Sequence, residues 1–180
     1  MFVLSKSLVP QKVMSLRTGG QVAATLSPII NPNNLKIEGF YCQDSLDKKK
    51  QLVLLYQDIR DIMPQGIVVN DHDVLVEPSE LVRLKTIMSL NFELIGKPVF
   101  TVNKNKVGKV GDYATELSTF FIEKIYVNQS LVKNFGNGNL SVERSQITEI
   151  TNRRIVIQDP LQGVKEKGRQ PASAPAMPAT

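Results

Sequence analysis

Hydrophobic residues along this chain fall in short runs separated by turn-forming positions. Segments 13–17, 35–42, 52–56 and 66–70 are rich in Val, Ile, Leu and aromatic side chains, as are 98–102, 119–127, 139–143 and 154–158. Runs of that length and composition predict strands. Between them, Thr18-Gly19-Gly20 and Asn103-Lys104-Asn105 supply residues tolerant of positive φ, as tight hairpins require. One stretch has a different period. Glu77-Pro78-Ser79-Glu80 reads as a helix start, because a proline at the first helical position gives up an N–H that would be unpaired there anyway. Leu81, Leu84 and Met88 follow at i, i+3 and i+7, with Ile87 beside them, so a short helix is expected with its apolar face packed on a sheet. That stripe could instead line a cofactor groove, but packing is the preferred reading.

The pattern repeats. Ile37-Glu38 followed by Tyr41 answers Ile122-Glu123 followed by Tyr126, an interval of 85 residues. Val13-Met14-Ser15-Leu16 answers Val99-Phe100-Thr101-Val102 at 86, and Ile67-Val68-Val69 answers Ile155-Val156-Ile157 at 88. Ile59 and Ile62 map onto Ile147 and Ile150 at the same 88. Matching segments in one order predict an internal duplication. Short strands at close spacing favour small barrels, in which closure removes exposed edges. The expected fold is therefore all-β: two tandem small barrels, 8–76 and 92–160, joined by a helical linker at 77–91. Beyond Leu161 the chain turns to Lys165–Arg169 and then a Pro/Ala/Ser stretch, so 161–180 is expected to be a disordered tail.

Within the second copy, Leu94-Ile95-Gly96-Lys97-Pro98-Val99 followed by Val107-Gly108-Lys109-Val110-Gly111-Asp112 resembles the opening of a PRC-barrel domain. The pattern is a hydrophobic-Gly-x-x-Val strand, a turn, then Gly-Lys-Val leading to an Asp. The first copy departs from it: Ala23 and Ala24 stand where Gly108 and Lys109 do, and the acidic position is missing. In that family the barrel occurs in the cytoplasmic part of the photosynthetic reaction-centre H subunit and at the C-terminal end of a ribosome maturation factor. The resemblance implies a docking module without catalytic residues of its own.

Composition narrows the field. Hydrophobic residues make up 42% of the 180, ordinary for a folded chain. Trp is absent and aromatics are 6%, which leaves few platforms for stacking bases. The net charge of +5 admits acidic partners. Cys42 is the single cysteine, so no intramolecular disulfide can form, in keeping with a reducing compartment. Residues Met1 to Pro10 lack a long apolar core and a small-residue cleavage site, so a signal peptide is not expected. No apolar run is long enough to span a bilayer as a helix, and a cytoplasmic location is the expectation.

Candidate chemistry is thin. His72, the only histidine, lies in Asn70-Asp71-His72-Asp73, which could contribute to a metal or a general-base pair; a solvated turn explains it better. No Gly-x-Ser-x-Gly elbow is present, and Gly136-Asn137-Gly138-Asn139 reads as a hairpin loop because no Lys-Ser/Thr follows it. Glu38 and Glu123 hold equivalent positions and could share a role, although solvent-facing strand positions account for both. Basic residues gather in three turns: Lys48, Lys49 and Lys50; Lys104, Lys106 and Lys109; and Arg153 with Arg154. They could meet phosphate, but solubility and strand-edge protection are the preferred explanation. The expected function is protein–protein docking, as an adaptor or assembly factor with no cofactor, no metal and no catalysis. RNA or ribosome association through the basic turns is the alternative.

Overall fold

The computed structural model describes residues 1–129 and 139–159; the expected loop at Gly136-Asn137-Gly138 and the tail from 161 onward lie outside the described residues. In chain order the strands are β1 (Phe2–Leu4), β2 (Lys12–Ser15), β3 (Gln21–Asn31), β4 (Lys36–Asp44), β5 (Gln51–Leu55), β6 (Ile59–Met63), β7 (Gly66–Val69) and β8 (Leu75–Val76). A helix, α1 (Lys85–Ser89), precedes β9 (Pro98–Thr101), β10 (Lys106–Glu116), β11 (Phe121–Gln129), β12 (Asn139–Glu143), β13 (Ile147–Ile150) and β14 (Ile155–Ile157). The chain is mostly β, with one α-helix among the described residues.

Apart from β5–β8, every ladder of the first half recurs in the second among the described residues. The neighbour order β6-β7-β2-β3-β4-β5 is repeated as β13-β14-β9-β10-β11-β12. In each half one pair is parallel, β2 with β7 and β9 with β14, and the rest are antiparallel. Registers coincide residue for residue. Val13 faces Ile67 as Val99 faces Ile155. Ser27 faces Tyr41 as Asp112 faces Tyr126, and Ile30 faces Ile37 as Thr115 faces Ile122. Even the bulges agree: Thr25/Ser27 with Val110/Asp112, and Ile29/Ile30 with Ala114/Thr115. Gly19 and Lys104, which carry φ of 68° and 64°, occupy the same place in their respective hairpin turns.

The two halves meet about a pseudo-twofold axis. Lys36 of β4 pairs antiparallel with Phe121 of β11, and these positions correspond to each other in the repeat. Ile37 donates its N–H to the Phe120 carbonyl (2.9 Å), and Ile122 donates to the Leu35 carbonyl (2.8 Å), a reciprocal exchange. Leu35 and Phe120 share a left-handed φ, 57° and 58°, and both are buried. Across the axis Phe120 lies edge-on to Phe40 at 6.5 Å between ring centres and against Tyr56 at 5.6 Å. The Lys36 ammonium sits 3.9 Å from the centre of the Tyr56 ring and 5.6 Å from that of Phe121, whose ring in turn packs against Arg144 at 4.5 Å. Cation and aromatic alternate along this row, and each such contact adds roughly 0.5–1 kcal/mol at a half-exposed site. One hydrophobic cluster runs through both halves, from Val13, Ile67 and Leu54 to Val99, Ile125 and Ile155.

Three expectations need correction. Among the described residues the ladder does not close in either half: there β6 and β13 pair only with β7 and β14. A single 3-10 turn (Tyr56–Asp58, and Arg144–Gln146 in the second half) separates β5 from β6 and β12 from β13, turning each final hairpin away from its predecessor. The linker helix is also shorter than its apolar spacing suggests. Pro78 does open a 3-10 turn, Pro78–Glu80, but Leu81 at φ −86°, ψ 63° leaves the helical region, and α1 holds only five residues. Finally, β3 and β10, the longest strands, lie outside the segments read as strands, as do β1, β6, β8 and β13.

Candidate functional site

Each half carries an N-terminal arm, and the arms cross to the opposite half. Leu8 precedes Val13 as Leu94 precedes Val99, and both leucines are buried. The same backbone bond follows each: Thr25 N–H to the Gln11 carbonyl (2.8 Å), Val110 N–H to the Lys97 carbonyl (2.9 Å). Residues 1–9 therefore correspond to 87–95. The first arm lays β1 antiparallel on β10, with Val3 opposite Thr115 and Leu4 opposite Ala114. Asp112 fastens its end, accepting the Ser5 hydroxyl at 2.6 Å and the Ser5 N–H at 3.2 Å. This is the acidic position that the first copy lacks, where Ser27 stands instead.

The second arm meets β3 differently. Leu117 donates its N–H to the Met1 carbonyl (3.0 Å), but the counterpart of Leu117 is Pro32, which has no N–H to give. Pro28 likewise replaces Tyr113. With donors missing along this edge, the second arm arrives as α1 and not as a strand. It stands off from β3 and leaves a groove of about 420 Å³ at the junction of the two halves. Leu26, Pro28, Ile29 and Ile30 of β3 form one wall, and Ile87, Met88, Phe92 and Ile95 form the other. Ser5 and Val9 of the first arm, Tyr41 of β4 and Tyr113 of β10 close the floor and ends. Leu26 and Ile95 are about half exposed, 49% and 50%, so two aliphatic side chains at the groove face water. Burial raises the Tyr41 phenol above its usual range, so it stays a neutral hydroxyl that can donate or accept. Glu93 is the one charged residue in the lining. Concave, mostly apolar sites with a few polar groups at a junction are where ligands and partner side chains settle. Ile87 and Met88 belong to the apolar stripe whose preferred reading is packing and not a groove; sequence reasoning missed the β3 wall and the remaining groove residues. The available signal was the contrast between the copies, with Pro28, Pro32 and Leu26 against Tyr113, Leu117 and Gly111.

The basic residues lie on separate turns, one in the first half and two in the second. Lys48, Lys49 and Lys50 lie on the β4–β5 turn of the first half, where Lys50 is tied to Glu77 at 2.6 Å. Lys104 and Lys106 lie beyond the end of β9, at the turn where Asn103 bonds Asp159. Lys109 faces Pro98, at the start of β9. Arg153 and Arg154 are near that same end, where they are joined by Lys97, whose ammonium donates to the Asn152 carbonyl at 2.7 Å and lies 4.5 Å from the centre of the Phe92 ring. Arg154 reaches Glu149 at 3.6 Å. The pairing of β14 with β9 thus brings Arg153 and Arg154 to the end of β9 that Lys109 faces.

His72 is not the freely solvated turn residue expected. Its Nε2 lies 2.9 Å from Oδ1 of the buried Asp44, which also accepts the Leu46 N–H at 3.0 Å. Burial alone would raise the Asp44 carboxyl, but the Leu46 N–H and the His72 contact outweigh it and hold the group below its ordinary range. Among the described residues no cluster of three or more His, Cys, Asp or Glu could hold a metal ion. The two repeated glutamates have separate partners, Asn31 for Glu38 at 3.3 Å and Arg144 for Glu123 at 3.6 Å. Cys42 is buried, which pushes its thiol up to about 12. No helix among the described residues is long and apolar enough to cross a membrane. No family model matches the chain, and no curated protein matches it either.

Proposed function

We propose that this chain is a non-catalytic protein–protein docking module, an adaptor or assembly factor of the cytoplasm, built from two copies of one open, PRC-like β-module. The observation that carries the proposal is the apolar groove between β3 and the second arm, with Leu26 and Ile95 exposed at it. Isolated exposed aliphatics are ordinary on protein surfaces, but two of them on a concave apolar wall mark a place where a partner gains by excluding water. Each would contribute about 1–2 kcal/mol if fully covered. The lack of Trp and the 6% aromatic content leave few platforms for stacking bases, which supports docking over the RNA or ribosome reading.

Full-length protein carrying Leu26→Asp tests this. The side chain is half exposed, so the substitution leaves the fold intact while placing a charge at the groove. Affinity recovery from native lysate, run with and without nuclease, should yield the same partner protein with the parent chain in both arms and lose it with the variant. Equal recovery by both would remove the groove from the account. Loss of all recovered material on nuclease treatment alone would transfer the function to nucleic acid.

A further inference from the structure

The repeat supplies its own comparison for the groove. Where the second half presents Ala114, Thr115 and Glu116, it is covered by an extended apolar segment, Phe2–Leu4. Where the first half presents the corresponding Ile29, Ile30 and Asn31, the arm is helical; Ile29 and Ile30 are buried beside it, and the cover is left open at Leu26 and Ile95. We infer that the open groove accepts an extended apolar segment of a partner protein, of the same character as Phe-Val-Leu, with its side chains entering between Leu26 and Ile95. This inference rests on the docking reading and names the class of partner for that site.

The edge chemistry decides how such a segment is held. Pro28 and Pro32 withhold the N–H groups that a paired strand would use, so strand addition of the kind seen at β10 is not available. Recognition therefore falls to side-chain burial, with the Ser27 and Tyr41 hydroxyls and the Asn91 amide within the lining to bond the incoming backbone. A fatty acid or anionic lipid is disfavoured because the lining offers no cation to its head group, and Glu93 would oppose it. A peptide brings no such obligatory negative charge.

Amide and methyl NMR on the full chain, titrated with a synthetic peptide copying residues 1–7, tests this directly. Saturable shifts are expected at Leu26, Ile30 and Ile95, with a dissociation constant below about 1 mM. They should vanish in Leu26→Asp and for a peptide whose Phe, Val and Leu are all Ser. Shifts confined to Ala114, Thr115 and Glu116 would mean that the peptide only displaces β1, and would overturn the inference. So would the absence of saturation up to about 1 mM, or competitive binding by oleate in its place. If the peptide fails while a partner protein is still lost with Leu26→Asp, docking at the groove stands and the extended-segment class is wrong.

Discussion

At the residue scale, His72 and Asp44 show how a turn is fixed by one contact. Asp44 is buried at the end of β4, and its carboxylate has two hydrogen-bond partners, the Leu46 N–H and the His72 ring. Replacing His72 by Ala leaves a buried acceptor short of a donor, a loss of about 1–3 kcal/mol. A chain of this size should then melt roughly 2–10 °C lower. The pH dependence has a definite sign. A carboxyl held below its ordinary value contributes stability in full above the unfolded-state value, and loses it as pH falls through the folded one. The parent chain should therefore keep this contribution down to about pH 4 and lose it below. Without His72 the folded value moves back up, so this group's acid-dependent loss shrinks, and the variant, weaker at neutral pH, should converge on the parent as pH falls. Thermal melts between neutral pH and pH 3 check this, and parallel curves for parent and variant would show that the contact is not made. The sequence flagged His72 as unusual but could not supply its partner, because Asp44 lies 28 residues away and meets it only through the packing of β4 and the turn before β8.

At the element scale, strand pairing rests on how closely backbones approach. A Cβ built on Gly108 would lie 2.0 Å from the Asn128 carbonyl oxygen, whereas the corresponding residue of the first half is already Ala23. Gly108→Ala should cost about 3 kcal/mol or more, since the obstacle is backbone on the partner strand and cannot rotate away. Ala23→Gly should cost only about 1 kcal/mol, the usual loss from a freer backbone. Denaturant titrations of the two variants give the comparison, and equal small effects would contradict the β10–β11 register. The same strands explain what the hydrophobic pattern concealed. The bulge at Leu26, between Thr25 and Ser27, breaks the two-residue period of β3, Pro28 interrupts it, and Gly108 and Gly111 dilute β10. Segments 35–42 and 119–127 each carry one bulge, at Glu38 and Glu123, but their dense Ile, Phe, Tyr and Val content kept them legible. The linker was over-read for the opposite reason: Leu81, Leu84 and Met88 keep a helical spacing, yet no side-chain cap holds either the 3-10 turn or α1.

At the scale of the molecule, the repeat was visible because paired core positions such as Val13/Val99 and Ile67/Ile155 retain their chemistry. The axis was not, because its own positions have diverged to Lys36 and Phe121, and Tyr56 and Arg144. The groove follows from that kind of divergence: one arm became a strand where Leu117 can donate, the other a helix where Pro32 cannot. If the groove is where this chain works, its binding is driven by apolar burial and responds weakly to salt. The most direct measurement is the dissociation constant for the recovered partner between 50 and 200 mM salt, for the parent and for the variant with Lys48, Lys49, Lys50, Lys104 and Lys106 changed to Ser. Apolar docking predicts a change of less than about tenfold in both proteins, as screening of a few rim charges would give. A loss of roughly a thousandfold across that range, abolished by the five substitutions, is the signature of counterion release from phosphate and would contradict it.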